Sequence, residues 1–424
     1  MTPHPQTKRR VVVSGLGVCS SAGSDPATFF DTLCAGVEVS DHRVRDFEPS
    51  SYFEAKELRR SDRFAQLAVA SALEALGDAG ELDADPERSG IVFGAGIGGI
   101  STLQREVGTL IDKGPRRVSP FLVPMVMGNA GAAAISMRLG WHGPCETIVT
   151  ACAAGTQAIG NAYRLVAHGR LDLAVAGGAE AAMEPAGEQP AIGVVALSNM
   201  TAMSASGCSR PFDRRRDGFV LAEGAAALVL EDLDHAVARG AHIYAEILGA
   251  ASTADAYHMT APAPGGTGAY SCMVLAIEDA GITPKDVAHV NAHATSTPAG
   301  DLAEAQAIER LFGPSNPPVS SMKGVTGHAL AASGAIEAVA VALSIERRLI
   351  PPTAGLECLD PDVHLDVVTA TPRALPPGPV LSNSFGFGGH NGCLVLGSLQ
   401  MVAVPQPRMT NPDLPAPSVV SSPR

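Results

Sequence analysis

Short apolar segments that stop at glycine or a polar turn alternate with longer segments whose apolar residues recur at helical spacing. This alternation limits what the chain can fold into. Arg10–Val13, Ile91–Phe93, Thr147–Thr150, Leu173–Ala176, Ala226–Leu230, Ala288–Asn291 and Gly392–Leu396 read as strands. Asp62–Leu76, Ala153–His168, Asp301–Leu311 and Gly334–Arg347 read as helices. Apolar strands alternating with helices predict an α/β fold whose sheets are covered on both faces. The strand–turn–helix rhythm recurs without a sharp repeat. It predicts two halves, residues 11–250 and 251–400, after an N-terminal extension at 1–10. Six prolines among residues 404–424 predict a disordered tail over 401–424.

Charge and cysteine usage remove several functions. Lys plus Arg number 30 against 43 Asp plus Glu, a net charge of −13, which is unsuited to neutralising phosphates and argues against nucleic acid as a partner. No apolar run of about 18 residues without glycine or charge occurs, so no membrane span is expected. Lys8, Arg9 and Arg10 before an apolar run imitate an export signal, but Gly15 and Gly17 interrupt it, and a first strand is the better reading. Eight cysteines with no CxxC pair predict reduced thiols in a cytoplasmic protein, with neither disulfides nor zinc.

Four motifs carry chemistry. Gly94–Gly99 (GAGIGG) has the spacing of a dinucleotide loop, but no second strand with an acidic end follows. Tight backbone packing is the preferred reading. Cys152 lies where an apolar strand meets a small-residue helix, so its thiol would face free amides. The helix dipole predicts a lowered thiol pKa, and the same amides suit an oxyanion. A buried structural cysteine is the competing reading. His293 follows a strand end and His328 lies in a glycine-flanked loop, as catalytic side chains do in α/β folds. Alone, either would be an ordinary structural histidine; with Cys152 they suggest Cys/His chemistry. Asn383–Asn391 (NSFGFGGHN) is either a wide turn or a flexible loop in which Phe385 and Phe387 gate a substrate.

The blocks TACAAGTQAIG around Cys152, SRPFDRRRDGFVLAEGA at 209–225, VNAHATSTPAGDLAEAQAI at 290–308, SSMKGVTGHALAASGAIEA at 320–338 and SNSFGFGGHNG at 382–392 occur in one order. With them the chain resembles the elongating β-ketoacyl-[acyl-carrier-protein] synthases of the thiolase-like superfamily, from about Arg10 to about Gly397. The resemblance implies two similar halves with mixed sheets layered between helices. It implies decarboxylative condensation of an acyl chain held on Cys152 with a malonyl group, using no metal or nucleotide, with substrates carried on the phosphopantetheine of an acyl carrier protein.

It further implies that His293 and His328 serve the malonyl thioester, and that Lys323, paired with Glu337, orders the site. The amides of Cys152 and Phe387 would form an oxyanion hole, and Phe387 would gate. Thr295 and Thr297 would line the pantetheine channel, with Phe385 and His390 also near the substrate. Ala294 and His390 depart from the family pattern, which has Gly and Thr there. An acidic carrier would dock on basic residues, with Arg59, Arg60, Arg63, Arg116 and Arg117 as candidates. A homodimer is expected, pairing through Leu173–Ala176 or elements beside it, with an acyl tunnel along Phe121–Ala134 that includes Gly131 and Ala132. The alternative is a catalytic subunit of a discrete polyketide synthase, paired with a chain-length partner. A non-catalytic subunit and a thiolase are disfavoured by the Cys152, His293, His328 set.

Overall fold

The computed structural model describes residues 8–184 and 189–399. The expected tail lies outside them. Ten strands form one mixed sheet: β1 (Val11–Ser20), β2 (Ser89–Ala95), β3 (Cys145–Ile148), β4 (Leu173–Glu180), β5 (Gly224–Asp232), β6 (Ala245–Ala254), β7 (His289–Asn291), β8 (Val319–Ser320), β11 (Val380–Gly386) and β12 (His390–Gly397). A small separate pair is β9 (Leu349–Ile350) and β10 (Arg373–Ala374). The order is β3-β2-β4-β5-β1-β6-β12-β11-β7-β8.

The expected duplication is visible in this order. Read inward from each edge, β3-β2-β4-β5-β1 and β8-β7-β11-β12-β6 both run parallel, parallel, antiparallel, antiparallel. The halves join where Val11–Val13 of β1 pair with Ala245–Ile247 of β6. The chain crosses over residues 233–244, and position 250 falls inside β6.

Two helices share the centre of one face. Ala154–Ala167 follows Cys152, Ser333–Arg347 follows His328, and both contribute to a core with β1, β5 and β12. The opposite face is covered by Arg63–Ala79 over the first half and Thr267–Asp279 over the second. With few aromatics available, small residues set the spacing. A Cβ on Gly155 would lie 2.8 Å from the carbonyl oxygen of Ala331 and 2.9 Å from the amide of Ala335. The two central helices thus approach backbone to backbone only because residue 155 is glycine.

Several expectations change. The segment Leu173–Ala176 lies within β4, hydrogen-bonded by β2 on one side and β5 on the other, so its edges are occupied. The free edge in this half is β3, which is largely exposed. Gly131 and Ala132 are core residues; a Cβ on Gly131 would lie 3.1 Å from that of Ala68. Gly94–Gly99 does pack tightly. The Ile97 amide donates to the buried carboxyl of Glu180 (3.2 and 3.3 Å), an acceptor from the chain itself.

Gly155→Ala should lower the unfolding free energy by about 1–3 kcal/mol, the usual range for overpacking. Gly77→Ala, exposed in the helix Arg63–Ala79 with no neighbour in reach of its Cβ, should raise it by about 0.5–1 kcal/mol. Urea denaturation of the two variants measures both, and equal effects at the two sites would contradict this packing.

Candidate active site

Cys152 sits on an elbow. After β3, Ala151 takes a left-handed backbone (φ 49°), a short 3-10 turn carries Cys152, and the helix starts at Ala154. A non-glycine residue at positive φ costs on the order of 1–3 kcal/mol and persists where its surroundings fix it. The thiol is 5% exposed. The backbone N–H groups of Phe387 and of Cys152 itself face it. A Cβ on Gly386 would lie 2.9 Å from the Cys152 amide, so the loop before Phe387 can close on the elbow only as glycine.

The structure brings both histidines to this thiol. His328 Nε2 lies 3.0 Å from Cys152 Sγ, and Ser333 Oγ lies 2.9 Å from His328 Nδ1. The rings of His293 and His328 meet edge to face at 5.3 Å, and Phe219 and Phe385 wall them. The sulfur and one nitrogen from each ring lie within 4.8 Å of one another. His293 Nδ1 is buried without a partner.

Behind them lies a charged layer. Lys323, 1% exposed, pairs with the equally buried Glu337. Glu304 accepts the amides of His293 (2.9 Å) and Ala294 (2.7 Å), and Asn383 Nδ2 donates to it (3.1 Å). Ala294 replaces the expected glycine without strain, since its φ is not positive. Sequence reading missed Glu304 and Ser333. The signal available was Asp301-x-x-Glu304, two acids on the apolar face of the helix Pro298–Phe312.

Electrostatics corrects one expectation. The helix-dipole argument predicts a thiol of lowered pKa, yet burial dominates and pushes Cys152 up to about 11, against opposing amides and the Lys323 charge. The resting sulfur is a thiol. Burial, reinforced by Lys323, drives His293 and His328 well below the usual histidine range, so both rings are neutral. The Cys–His–His set has donor types that suit a soft cation, but the charge that opposes protonating these rings opposes a metal equally.

A cavity of about 350 Å3 opens onto Cys152, His293 and His328. Thr295, Thr297, Phe385 and Phe387 line it, and the two threonine hydroxyls are 3.1 Å apart. His390 does not line it; its ring lies beside the Gly388 turn. None of residues 121–134 lines it. Of the five arginines, Arg63 is turned inward and bound to Glu223 through two nitrogens (2.6 and 2.9 Å). Arg59, Arg60, Arg116 and Arg117 are exposed. Arg60 stacks on Phe121 at 4.2 Å, joining the 59–60 and 116–121 segments into one surface.

A two-fold repeated sheet with a buried cysteine before one central helix and a histidine before the other has the architecture of the condensing enzymes of the thiolase-like fold. The model of the beta-ketoacyl synthase N-terminal domain matches residues 41–236, and that of the C-terminal domain residues 244–357. The chain belongs to the beta-ketoacyl synthase family. It is 43% identical to 3-oxoacyl-[acyl-carrier-protein] synthase 2 of Synechocystis over 93% of this chain and 99% of that one. Among solved structures, the ishigamide ketosynthase/chain length factor superposes with a TM-score of 0.85 at 32% identity, covering 92% of this chain and 99% of that one. A type II polyketide acyl-carrier protein in complex with its ketosynthase, bound to the hexaketide, gives 0.83 at 31%, covering 93% of this chain and 100% of that one.

Because alkylation requires thiolate, labelling of Cys152 by iodoacetamide should still be rising at pH 10, as expected for a pKa of about 11. Mass spectrometry of the labelled peptide, with Cys152→Ala as the blank, measures it. A plateau near pH 7 would mean that the amides and Lys323 outweigh burial.

Proposed function

We propose that the chain is a cytoplasmic β-ketoacyl-acyl-carrier-protein synthase that lengthens a fatty-acyl chain by two carbons. The observation that carries this is the buried cluster of one neutral thiol and two neutral imidazoles, backed by the Lys323–Glu337 pair. In the first half-reaction the Cys152 proton passes to His328 Nε2, and the sulfur attacks the acyl thioester. The Phe387 and Cys152 amides stabilise the oxyanion, and the departing pantetheine sulfur takes the proton. In the second, a malonyl thioester places its carbonyl oxygen against His293 and against His328 in the tautomer that carries its proton on Nε2, with Ser333 Oγ donating to Nδ1. The bond to the carboxylate breaks, carbon dioxide leaves, and the electron pair enters the enolate. The enolate carbon then attacks the Cys152 thioester, and the released sulfur takes up one proton from solvent, the proton that the overall reaction consumes.

Neutral donors suit this chemistry. An imidazolium would offer the carbanion a proton and quench it, whereas a neutral N–H stabilises the oxygen. Lys323 supplies positive charge without reaching the substrate, and by disfavouring a second cation it keeps the rings neutral. Thr295 and Thr297 would receive the pantetheine amides, and Phe387, on a loop with Gly388 and Gly389 at positive φ, would swing as the gate.

Carrier docking is assigned to Arg59, Arg60, Arg116 and Arg117, none of which has a carboxylate partner within 4.0 Å among the described residues. The dimer is assigned to the open edge of β3 and its apolar surroundings: Met137 is 77% exposed, Val149 59%, Val123 63% and Ile111 76%. That face suits a second copy or a chain-length subunit. The solved ishigamide ketosynthase/chain length factor supports the latter.

His293→Ala and His328→Ala should each lower malonyl decarboxylation by about 10²-fold or more, the usual cost of losing a donor to a developing oxyanion. Acyl transfer to Cys152 should fall less in His293→Ala. Rapid-quench assays of the two half-reactions measure this, and equal losses would remove the assigned role. Reversal of Arg116 and Arg117 to Glu should raise KM for acyl carrier protein, most at low salt, with kcat for a small thioester nearly unchanged. A KM unmoved by salt or by charge reversal would place docking elsewhere.

A further inference from the structure

Glu180 takes no part in the chemistry above, yet it is a fully buried carboxyl close enough to the nucleophile for its charge to act on Cys152. It ends β4 and has no lysine or arginine within 4.0 Å among the described residues. Its partners are backbone amides from two loops. Ile97 donates to both oxygens at 3.2 and 3.3 Å, and the amides of Gly96 and Ala331 also point at it. The first two belong to the Gly94–Gly99 loop. The third belongs to the turn Leu330–Ala332, which begins two residues after His328.

That turn needs holding. Leu330 has a left-handed backbone (φ 44°), which a leucine does not adopt unaided. The Ala331 carbonyl is wedged where a Cβ on Gly178 would come within 2.6 Å and one on Gly155 within 2.8 Å. Glu180 grips the amide side of the same residue. The turn leads directly into Ser333, whose hydroxyl meets His328 Nδ1.

We infer that Glu180 is a positioning residue: by tying the Gly94–Gly99 loop to the turn Leu330–Ala332, its carboxyl fixes His328 against Cys152 and holds a titratable charge behind the sulfur. The inference rests on Cys152 being the nucleophile. The groups facing the carboxyl are the three amides, the buried Asp62 at the start of the helix Arg63–Ala79, and the Cys152 thiol. Burial pushes Glu180 up to about 8. It is therefore largely a neutral acid at pH 7 and becomes an anion as pH rises through about 8. The anion disfavours the thiolate.

Full-length Glu180→Gln and Glu180→Ala test this. Glu180→Ala should lose about 10- to 100-fold in condensation kcat, the usual cost of removing a group that orients a catalytic one, with KM for acyl carrier protein changed less than about twofold. Cys152 labelling by iodoacetamide supplies a readout that a merely structural residue would not move. The ratio of Glu180→Gln to wild-type rates should rise between pH 7 and 9.5 by at least about twofold, the effect of a pKa difference of about 0.3. A flat ratio overturns the inference, as does loss confined to KM. Should neither variant fold, the wild-type profile decides, and a single ionisation without an inflection near pH 8 overturns it. Labelling that persists in Cys152→Ala would instead sink the assignment of the nucleophile, so the two failures are distinguishable.

Discussion

The contact between two central helices governs the rest. Ala154–Ala167 and Ser333–Arg347 come from opposite halves, and each begins where a group of the proposed site sits: Cys152 just before one, His328 just before the other. Their separation fixes the distance between sulfur and imidazole. Gly155, Ala335 and Gly334 make that separation small; a larger residue would wedge the helices apart and open the site. Packing interiors do not stretch to absorb an ångström, so the catalytic distance is a packing dimension. The low aromatic content serves the same end, since small side chains permit close approach of backbone.

Burial then sets the charge states. Removing a thiol and two imidazoles from water favours the uncharged form of each. Lys323 acts on the same groups with opposite consequences, helping the thiolate and opposing imidazolium. Its ammonium pairs directly with Glu337, Glu304 also feels its charge, and one Glu337 oxygen lacks a partner. The site at rest is thus a nearly neutral chamber with one fixed ion pair at its back. Charge appears in it only when substrate arrives, on oxygens that face donors already in place.

Much of this was legible in the sequence, for identifiable reasons. Strands and helices that are apolar throughout or at one period were read where side chains carry the signal, as in β1 and the helix after Cys152. β6, rich in Ala, Gly and Ser, gave no period and was passed over. Motif residues could be named because their spacing within a block is local. Sheet order is not local, so the sequence offers Leu173–Ala176 or elements beside it for pairing, although both sides of that strand are filled. The thiol was misjudged because a helix dipole is visible in sequence and desolvation is not. Arg63 looked like its neighbours; only the fold shows it reaching Glu223 across 160 residues. The glycine loop has the spacing of a dinucleotide loop, yet its free amide is met from within, by the carboxyl of Glu180.

The place of β1 has a consequence for synthesis. It precedes the other described strands in the chain, yet it ends up in the middle of the sheet, with β5 and β6 as its neighbours. Val11 pairs with Asp232, a separation of 232 − 11 = 221 residues. At about 5–20 residues per second of translation, a wholly buried ten-residue strand waits roughly 10–45 seconds for its first strand partner. During that interval nothing in the first half can close its sheet, because β5 also separates β4 from β1. The fold that brings two distant helices together so tightly therefore leaves both hydrogen-bonding edges of its opening strand unpaired until the second half begins, with the helix Arg63–Ala79 available to cover one of its faces.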